Sequence, residues 1–131
     1  MSAEMLDYLM RNKLLSSCQH GFLSKKSTLT NLLESVNDWS VSLEAKNKTT
    51  IAYIDFKRAF DSGSHPKLLH KLHAYGINGT LLAWIENFLS NRIHCTRVKN
   101  SFSSVAGIRS GVVQGSCIGP LLFLIFINDL F

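Results

Sequence analysis

Residues 51–61, IAYIDFKRAFD, constrain the fold of this chain more than any other stretch. Ile51 to Ile54 form a four-residue apolar run that ends at a carboxylate, Asp55. A run this short, rich in isoleucine and aromatic, predicts a strand buried on both faces. Asp55 then stands where the buried strand gives out. A carboxylate there is costly unless a cation or hydrogen-bond donors meet it. One answer is a divalent metal, since magnesium takes carboxylate oxygens and leaves positions for phosphate. The other is an aspartate that ends the strand and caps the next turn. The segment alone leaves both open. Past Asp55, Lys57 and Arg58 are polar while Ala59 and Phe60 are not. That pattern predicts an immediate turn into a short helix, with Phe60 about one and a half turns from the carboxylate.

The chain has 131 residues, 46% of them hydrophobic, which suits one modest domain with a core. Fourteen Lys and Arg against nine acids leave a net charge of +5, a tilt toward a polyanionic partner such as nucleic acid. The basic residues are scattered, with no block of five like charges. Cys18, Cys95 and Cys117 are far apart and odd in number, and no C-x-x-C occurs. Neither a zinc knuckle nor a disulfide framework is expected; reduced cysteines in an intracellular protein are the simplest reading. MSAEMLDY lacks the basic-then-apolar pattern of a signal peptide. No localisation signal is visible. The longest apolar run, Leu121 to Ile127, is far too short to span a bilayer, so no membrane partner is expected.

In chain order, Met1 to Leu15 predicts a short amphipathic helix with Met5, Leu6, Leu9 and Met10 on one side. Residues 19–28, QHGFLSKKST, predict a turn at Gly21 and a cap at Ser27 or Thr28. Lys25 and Lys26 stand at the start of the helix that follows, where exposed N–H groups and the dipole favour an anion; a solvated basic turn is the plainer reading. Leu29, Leu32, Leu33, Val36, Trp39 and Leu43 recur at helical spacing, and the stripe is expected to pack in the core. Gly63 to Pro66 break the chain before a helix carrying Leu68, Leu69, Leu72 and Tyr75 and stopped by Gly76. His70 and His73 on it have no third ligand nearby and read as a polar face. A further helix carries Leu81, Leu82, Ile85, Phe88 and Leu89 and ends at Asn91. Ile93 to Val98 and Phe102 to Ile108 predict a hairpin turning at Lys99-Asn100-Ser101. Arg92, Arg97, Lys99 and Arg109 make it basic, fit either to track a phosphate backbone or simply to stay solvated.

Residues 109–120, RSGVVQGSCIGP, are the second informative stretch. Gly107, Gly111, Gly115 and Gly119 recur every fourth residue, but neither a P-loop nor G-x-G-x-x-G is present. Gln114 puts an amide that donates and accepts into a tight turn. Pro120 opens an apolar helix, Leu121 to Leu130.

Taken together, the Q-H-G-F turn, Y-I-D-F-x-x-A-F-D, W-I-x-x-F-L-x-N-R and G-V-x-Q-G-S-x-x-G-P-L-L-F-L-x-x-I-N-D-L, in this order, closely resemble the reverse transcriptases of non-LTR, LINE-like retrotransposons. The resemblance covers nearly the whole chain. It implies an α+β fold, part of the polymerase right hand, with an antiparallel palm sheet and packed helices. Residues 1–48 would lie on the fingers side and 49–131 mostly in the palm. It implies RNA-directed DNA polymerase chemistry on deoxynucleoside triphosphates, an RNA template and a DNA primer, with two Mg2+ ions. Asp55 would bind the metals, helped by the main-chain carbonyl of Phe56. Phe60 would crowd the sugar 2′ position, Lys26 would meet the triphosphate, and Gln114 and Gly115 would lie against the incoming nucleotide. Arg92, Arg97, Lys99 and Arg109 would contact nucleic acid.

Two departures loosen the expected site: Val113 stands where the family has the proline of P-Q-G, and Gly63-Ser64 where it has Val-Pro. The family pattern also continues past I-N-D-L into an aromatic-Ala-Asp-Asp hairpin, whereas this sequence stops at Phe131. The expectation is therefore a truncated domain, inactive in isolation. A non-catalytic nucleic-acid-binding remnant is the alternative.

Overall fold

The computed structural model describes residues 1–130; Phe131, the last residue of the expected palm portion, lies outside them. The elements run α1 (Ser2–Arg11), α2 (Thr28–Glu44), α3 (Ala59–Ser62), α4 (His65–Ala74), α5 (Gly79–Leu89), β1 (Arg92–His94), β2 (Arg97–Val98), β3 (Ser101–Phe102), β4 (Ala106–Ile108) and α6 (Gly119–Ile127). Helices and small antiparallel sheets together make this an α+β chain.

The core forms around α6. Its sequence, GPLLFLIFI, is apolar on every side, so the helix must be surrounded rather than laid on a surface. Leu121, Leu122, Leu124 and Ile125 are buried in it. Leu68 and Leu72 of α4, Ile85 and Leu89 of α5, and Met5 and Leu9 of α1 close around them. Burying each such side chain contributes about 1.5–3 kcal/mol. The end of α6 is pinned by Asn128. Its amide donates to the Leu14 carbonyl and to the Tyr75 hydroxyl, both at 2.7 Å, and its carbonyl accepts from the Ser16 N–H at 2.8 Å. One side chain thus ties α6 to the segment after α1 and to the end of α4.

The expected hairpin is present. β1 pairs with β4 (Arg92 opposite Ile108) and β2 with β3 (Arg97 opposite Phe102), all antiparallel. The register slips by one residue between the two ladders, because Cys95-Thr96 face three residues, Ser103 to Val105. That extra residue is a bulge that bends the ribbon. Lys99, with φ +55°, makes the turn.

Three expectations are corrected. First, Ile51 to Ile54 form no strand; Tyr53 and Ile54 are 83% and 80% exposed. A strand buried on both faces needs a ladder and covering layers, and no segment of the described residues supplies either. The antiparallel sheet lies in the 92–108 hairpin instead. Second, the α2 stripe is not core. Leu29, Leu32, Leu33, Val36 and Leu43 are exposed, only Trp39 is half-buried, and no residue of α2 is buried. Helical spacing defines an apolar face but not whether a surface meets it. The helix is held from its first turns: Ser27 caps it in a capping box with Thr30, and buried His20 bonds Thr30 and Glu34 at 2.9 and 3.0 Å. Third, no helix runs on directly from Asp55. Arg58 turns left-handed (φ +53°) and α3 starts only at Ala59. No helix of the described residues is long and apolar enough to cross a membrane.

Candidate functional site

Two stretches singled out by sequence, A-F-D-S and G-V-V-Q-G, dock on each other. The Val112 N–H donates to the Phe60 carbonyl and the Gly111 N–H to the Gly63 carbonyl, each at 2.7 Å. The Ser110 hydroxyl donates to the Asp61 carbonyl at 2.7 Å, and His65 Nε2 bonds the Gly111 carbonyl at 2.7 Å. Ser64 and Ser110 form an antiparallel bridge. The approach is so close that a Cβ on Gly111 would lie 2.5 Å from the Phe60 carbonyl oxygen, and φ there is +81°. Glycine is required on both counts.

This docking sets the side chains. The Gln114 amide nitrogen donates to Asp61 Oδ1 at 3.3 Å. Phe60 stacks on Phe123 of α6 (ring centres 4.4 Å apart, 20° between planes), and Phe22 meets it edge-on at 5.9 Å. Phe22 comes from the Q-H-G-F turn, so three distant stretches converge on one aromatic ring. Gly115 is exposed with φ +81°. The loop is tied to α6 by the Ser116 hydroxyl, which accepts from the Gly119 N–H at 2.9 Å and donates to the Val113 carbonyl at 2.7 Å.

Asp55 stands apart from this group. It is exposed, and among the described residues its side chain forms no hydrogen bond or ion pair. The neighbouring clefts are lined by Phe56 on one side and Arg58 on another, not by Asp55. The Phe56 cleft, about 250 Å³, is walled by Phe123, Phe126, Lys67, Lys71 and Asp129. Among the described residues no three His, Cys, Asp or Glu side chains cluster as a metal site. The Asp55 carboxylate and the Phe56 carbonyl are hard oxygen donors, which fits a divalent ion that keeps most of its water. They do not by themselves make a cage for two ions.

The basic candidates divide. The Lys26 ammonium donates to the Ser17 carbonyl, so it braces the turn before α2. The Arg97 guanidinium lies over the Phe102 ring at 5.5 Å, and its Nε donates to the Lys99 carbonyl at 2.9 Å. Arg92 and Arg109 instead line one cleft, together with Arg58, His94 and Asp61. Arg58 and His94 are not singled out by sequence; a lone arginine in D-F-K-R and a histidine in a short strand carry no motif. Neither is His20, whose only signal is its place in the Q-H-G-F turn, nor Asn128, inside an otherwise apolar helix end.

A family model described as "Reverse transcriptase (RNA-dependent DNA polymerase)" matches residues 1–131. The chain is 32% identical over 136 residues to an RNA-directed DNA polymerase from mobile element jockey of Drosophila funebris, covering 97% of this chain and 15% of that protein. It is 29% identical over 130 residues to a "Probable RNA-directed DNA polymerase from transposon BS" of Drosophila melanogaster, covering 95% and 14%. It is 31% identical over 86 residues to a Pol polyprotein from a type-1 retrotransposable element R2 of Popillia japonica, covering 65% and 14%. The chain thus spans 14 to 15% of the length of these relatives. No solved structure matches it significantly.

Proposed function

Because the chain belongs to the reverse transcriptase (RNA-dependent DNA polymerase) family, we propose that it is a segment of a retrotransposon RNA-directed DNA polymerase. In this reading it forms the wall against which an incoming deoxynucleotide is held on an RNA template and DNA primer. Residues 1–48 are its fingers side and the remainder mostly palm. The observation that carries the reading is the docking of G-V-V-Q-G on A-F-D-S, with Val112 bonded to the Phe60 carbonyl at 2.7 Å. Two stretches far apart in the chain are held there at hydrogen-bond distance.

Each side chain then has a role. Asp55 supplies the first carboxylate for a divalent ion, which we take to be magnesium, and the Phe56 carbonyl assists. When bound, such ions stabilise charge on the attacking and leaving oxygens of an in-line phosphoryl displacement. Phe60, fixed between Phe22 and Phe123, presents a rigid aromatic edge to the sugar 2′ position. Gln114, oriented by Asp61, and Gly115 lie against the nucleotide. Lys26 faces the triphosphate once released from Ser17. Arg92, Arg97, Lys99 and Arg109 contact template and primer. With one exposed carboxylate and no cluster around it among the described residues, the 131-residue chain alone is expected to hold the ions too weakly for turnover.

A graft tests this reading. Residues 1–131 replace the matching segment of the jockey polymerase of Drosophila funebris, and primer extension is followed on an RNA template. Retained DNA synthesis supports the reading. A soluble, template-binding graft that never extends the primer contradicts it.

A further inference from the structure

We propose that His20 is a charged latch: its imidazolium ring fastens α2 to the turn that presents Phe22 to Phe60, and loss of one ring proton frees the helix.

Helix α2 needs such a fastening because packing does not supply one. None of its residues is buried, and Leu29, Leu32, Leu33, Val36 and Leu43 face solvent. A helix that buries no face draws little stability from the rest of the molecule. Apart from its Ser27 cap and a Ser42–Thr49 contact just past its end, its only side-chain hydrogen bonds to another part of the chain, among the described residues, are those to His20. His20 is only 6% exposed and shares its cleft with Ile127 of α6. Thr30 and Glu34, on successive turns of α2, close on its two ring nitrogens.

The count of donors and acceptors sets the charge. Glu34 Oε2, 3.0 Å from Nε2, is a carboxylate oxygen and only accepts, so Nε2 carries a proton. Thr30 Oγ1, 2.9 Å from Nδ1, has one proton and two lone pairs to place. Its proton goes to the Ser27 carbonyl at 2.8 Å, and one lone pair takes the Ser27 N–H at 2.9 Å. What remains toward His20 is a lone pair, so Nδ1 donates as well. Only the imidazolium satisfies all four contacts at once. A neutral ring needs the Thr30 hydroxyl to leave the Ser27 carbonyl, in the first turn of the helix.

The groups around the ring agree. Glu34 and Asp38 of α2 line the cleft with it, its own turn adds the Cys18 thiol, and α6 adds only apolar Ile127. The Lys26 ammonium is held on the Ser17 carbonyl and does not line this cleft. A buried charge is tolerated when it is paired and hydrogen-bonded, and this ring is both. Folding thus favours the charged ring, so the latch holds on the acid side of the imidazole titration and opens as pH rises through it. Two residues past His20, Phe22 adopts a φ of +58° and meets Phe60 edge-on at 5.9 Å. Helix α2 and the aromatic stack therefore hang from the same turn.

The test uses the 131-residue chain with 15N-labelled histidine, from about pH 5.5 to 8.5, above the carboxylate range and across that of imidazole. Long-range 1H–15N spectra read the protons on each ring, and the signal missing from His20→Gln assigns His20 among the five histidines. His20 is expected to carry protons on both nitrogens at the acid end. Once the second proton leaves, the amides of Leu32 to Trp39 should exchange with solvent about tenfold faster, after correction for the intrinsic pH dependence of exchange. Glu34→Gln and His20→Gln should show the faster exchange at every pH, whereas Glu44→Gln, at the far end of α2, should behave like the parent. Far-UV circular dichroism checks that each variant is folded. A His20 ring with a single proton throughout overturns the proposal, because Thr30 is then the donor. So does α2 exchange that is unchanged by loss of the second proton. No turnover is read, so the result is independent of the polymerase reading.

Discussion

The backbone N–H of Val112 donates to the carbonyl of Phe60 at 2.7 Å, and that hydrogen bond exists because Gly111 beside it carries no side chain. Gly111→Ala would put a methyl group 2.5 Å from the Phe60 oxygen and from the Asp61 Cα, at a φ of +81°. Gly115 has the same φ but open space around it. Gly111→Ala is therefore expected to destabilise the chain by about 2–4 kcal/mol, through backbone strain and overlap together. Gly115→Ala should lose only about 1 kcal/mol, the strain alone. Urea unfolding midpoints compare them. Equal losses would mean that the two loops do not approach as described.

The position of the core gives a second comparison. Leu124 is fully buried in α6, whereas Leu32 on α2 is 54% exposed. Leu124→Ala should cost about 2–5 kcal/mol, transfer and cavity combined. Leu32→Ala should stay within about 0.5 kcal/mol of zero. A large loss at Leu32 would show that α2 is covered in solution.

Those two leucines also mark what can be read from sequence. Leu68, Leu72, Ile85 and Leu89 sit on helices whose ends are punctuated by Pro66, Gly76 and Asn91, and both helices form where the spacing puts them. The hairpin turn at Lys99 is legible because polar residues interrupt two apolar-alternating runs; the bulge opposite Thr96 is not, because one extra residue leaves no trace in the alternation. In α2 and in Ile51 to Ile54 the local pattern is apolar, yet burial does not follow from it. Burial depends on a second surface, which periodicity does not encode. At the site, the glycine spacing alone names no ligand; it is the family resemblance carried by Y-I-D-F-x-x-A-F-D and G-V-x-Q-G-S that points to Phe60, Gln114 and Gly115. The roles of Arg58, His94 and Asn128 arise from convergence across the fold, and single residues carry no signal of that.

Asp129 gives a pH-dependent prediction. The Lys71 ammonium donates to its carboxylate, and this hydrogen bond above all holds the Asp129 pKa below its ordinary value; burial opposes it, and a backbone hydrogen bond and then charge attraction to Lys71 add to the lowering. A carboxyl pKa lowered by folding adds stability that is fully present above its unfolded value, about 3.9, and is lost as pH falls through the lowered folded value. The pair is mostly exposed on the aspartate side, so the contribution is small and screened by salt. Asp129→Asn should be slightly less stable than the parent near neutral pH and indistinguishable from it at the acid end. A gap that widens on acidification would contradict this.

Phe60 is fixed between Phe22 and Phe123, so its edge cannot yield without disturbing α6. In the polymerase reading, Phe60→Val in the jockey graft should raise ribonucleotide incorporation relative to deoxynucleotide, on the order of tenfold, by opening space at the 2′ position. Single-nucleotide incorporation assays measure the ratio. An unchanged ratio in an active graft would remove Phe60 from the sugar site.

The most direct measurement concerns Asp55, exposed and without a bonding partner among the described residues. Asp55→Asn in the jockey graft keeps the size of the side chain and removes its charge. Primer extension on an RNA template, followed across a magnesium titration, should fall by several orders of magnitude and not recover at any magnesium concentration, while template binding stays unchanged. A graft with Asp55→Asn that extends primers at a rate near that of the parent would contradict the central claim that this carboxylate holds the catalytic ion.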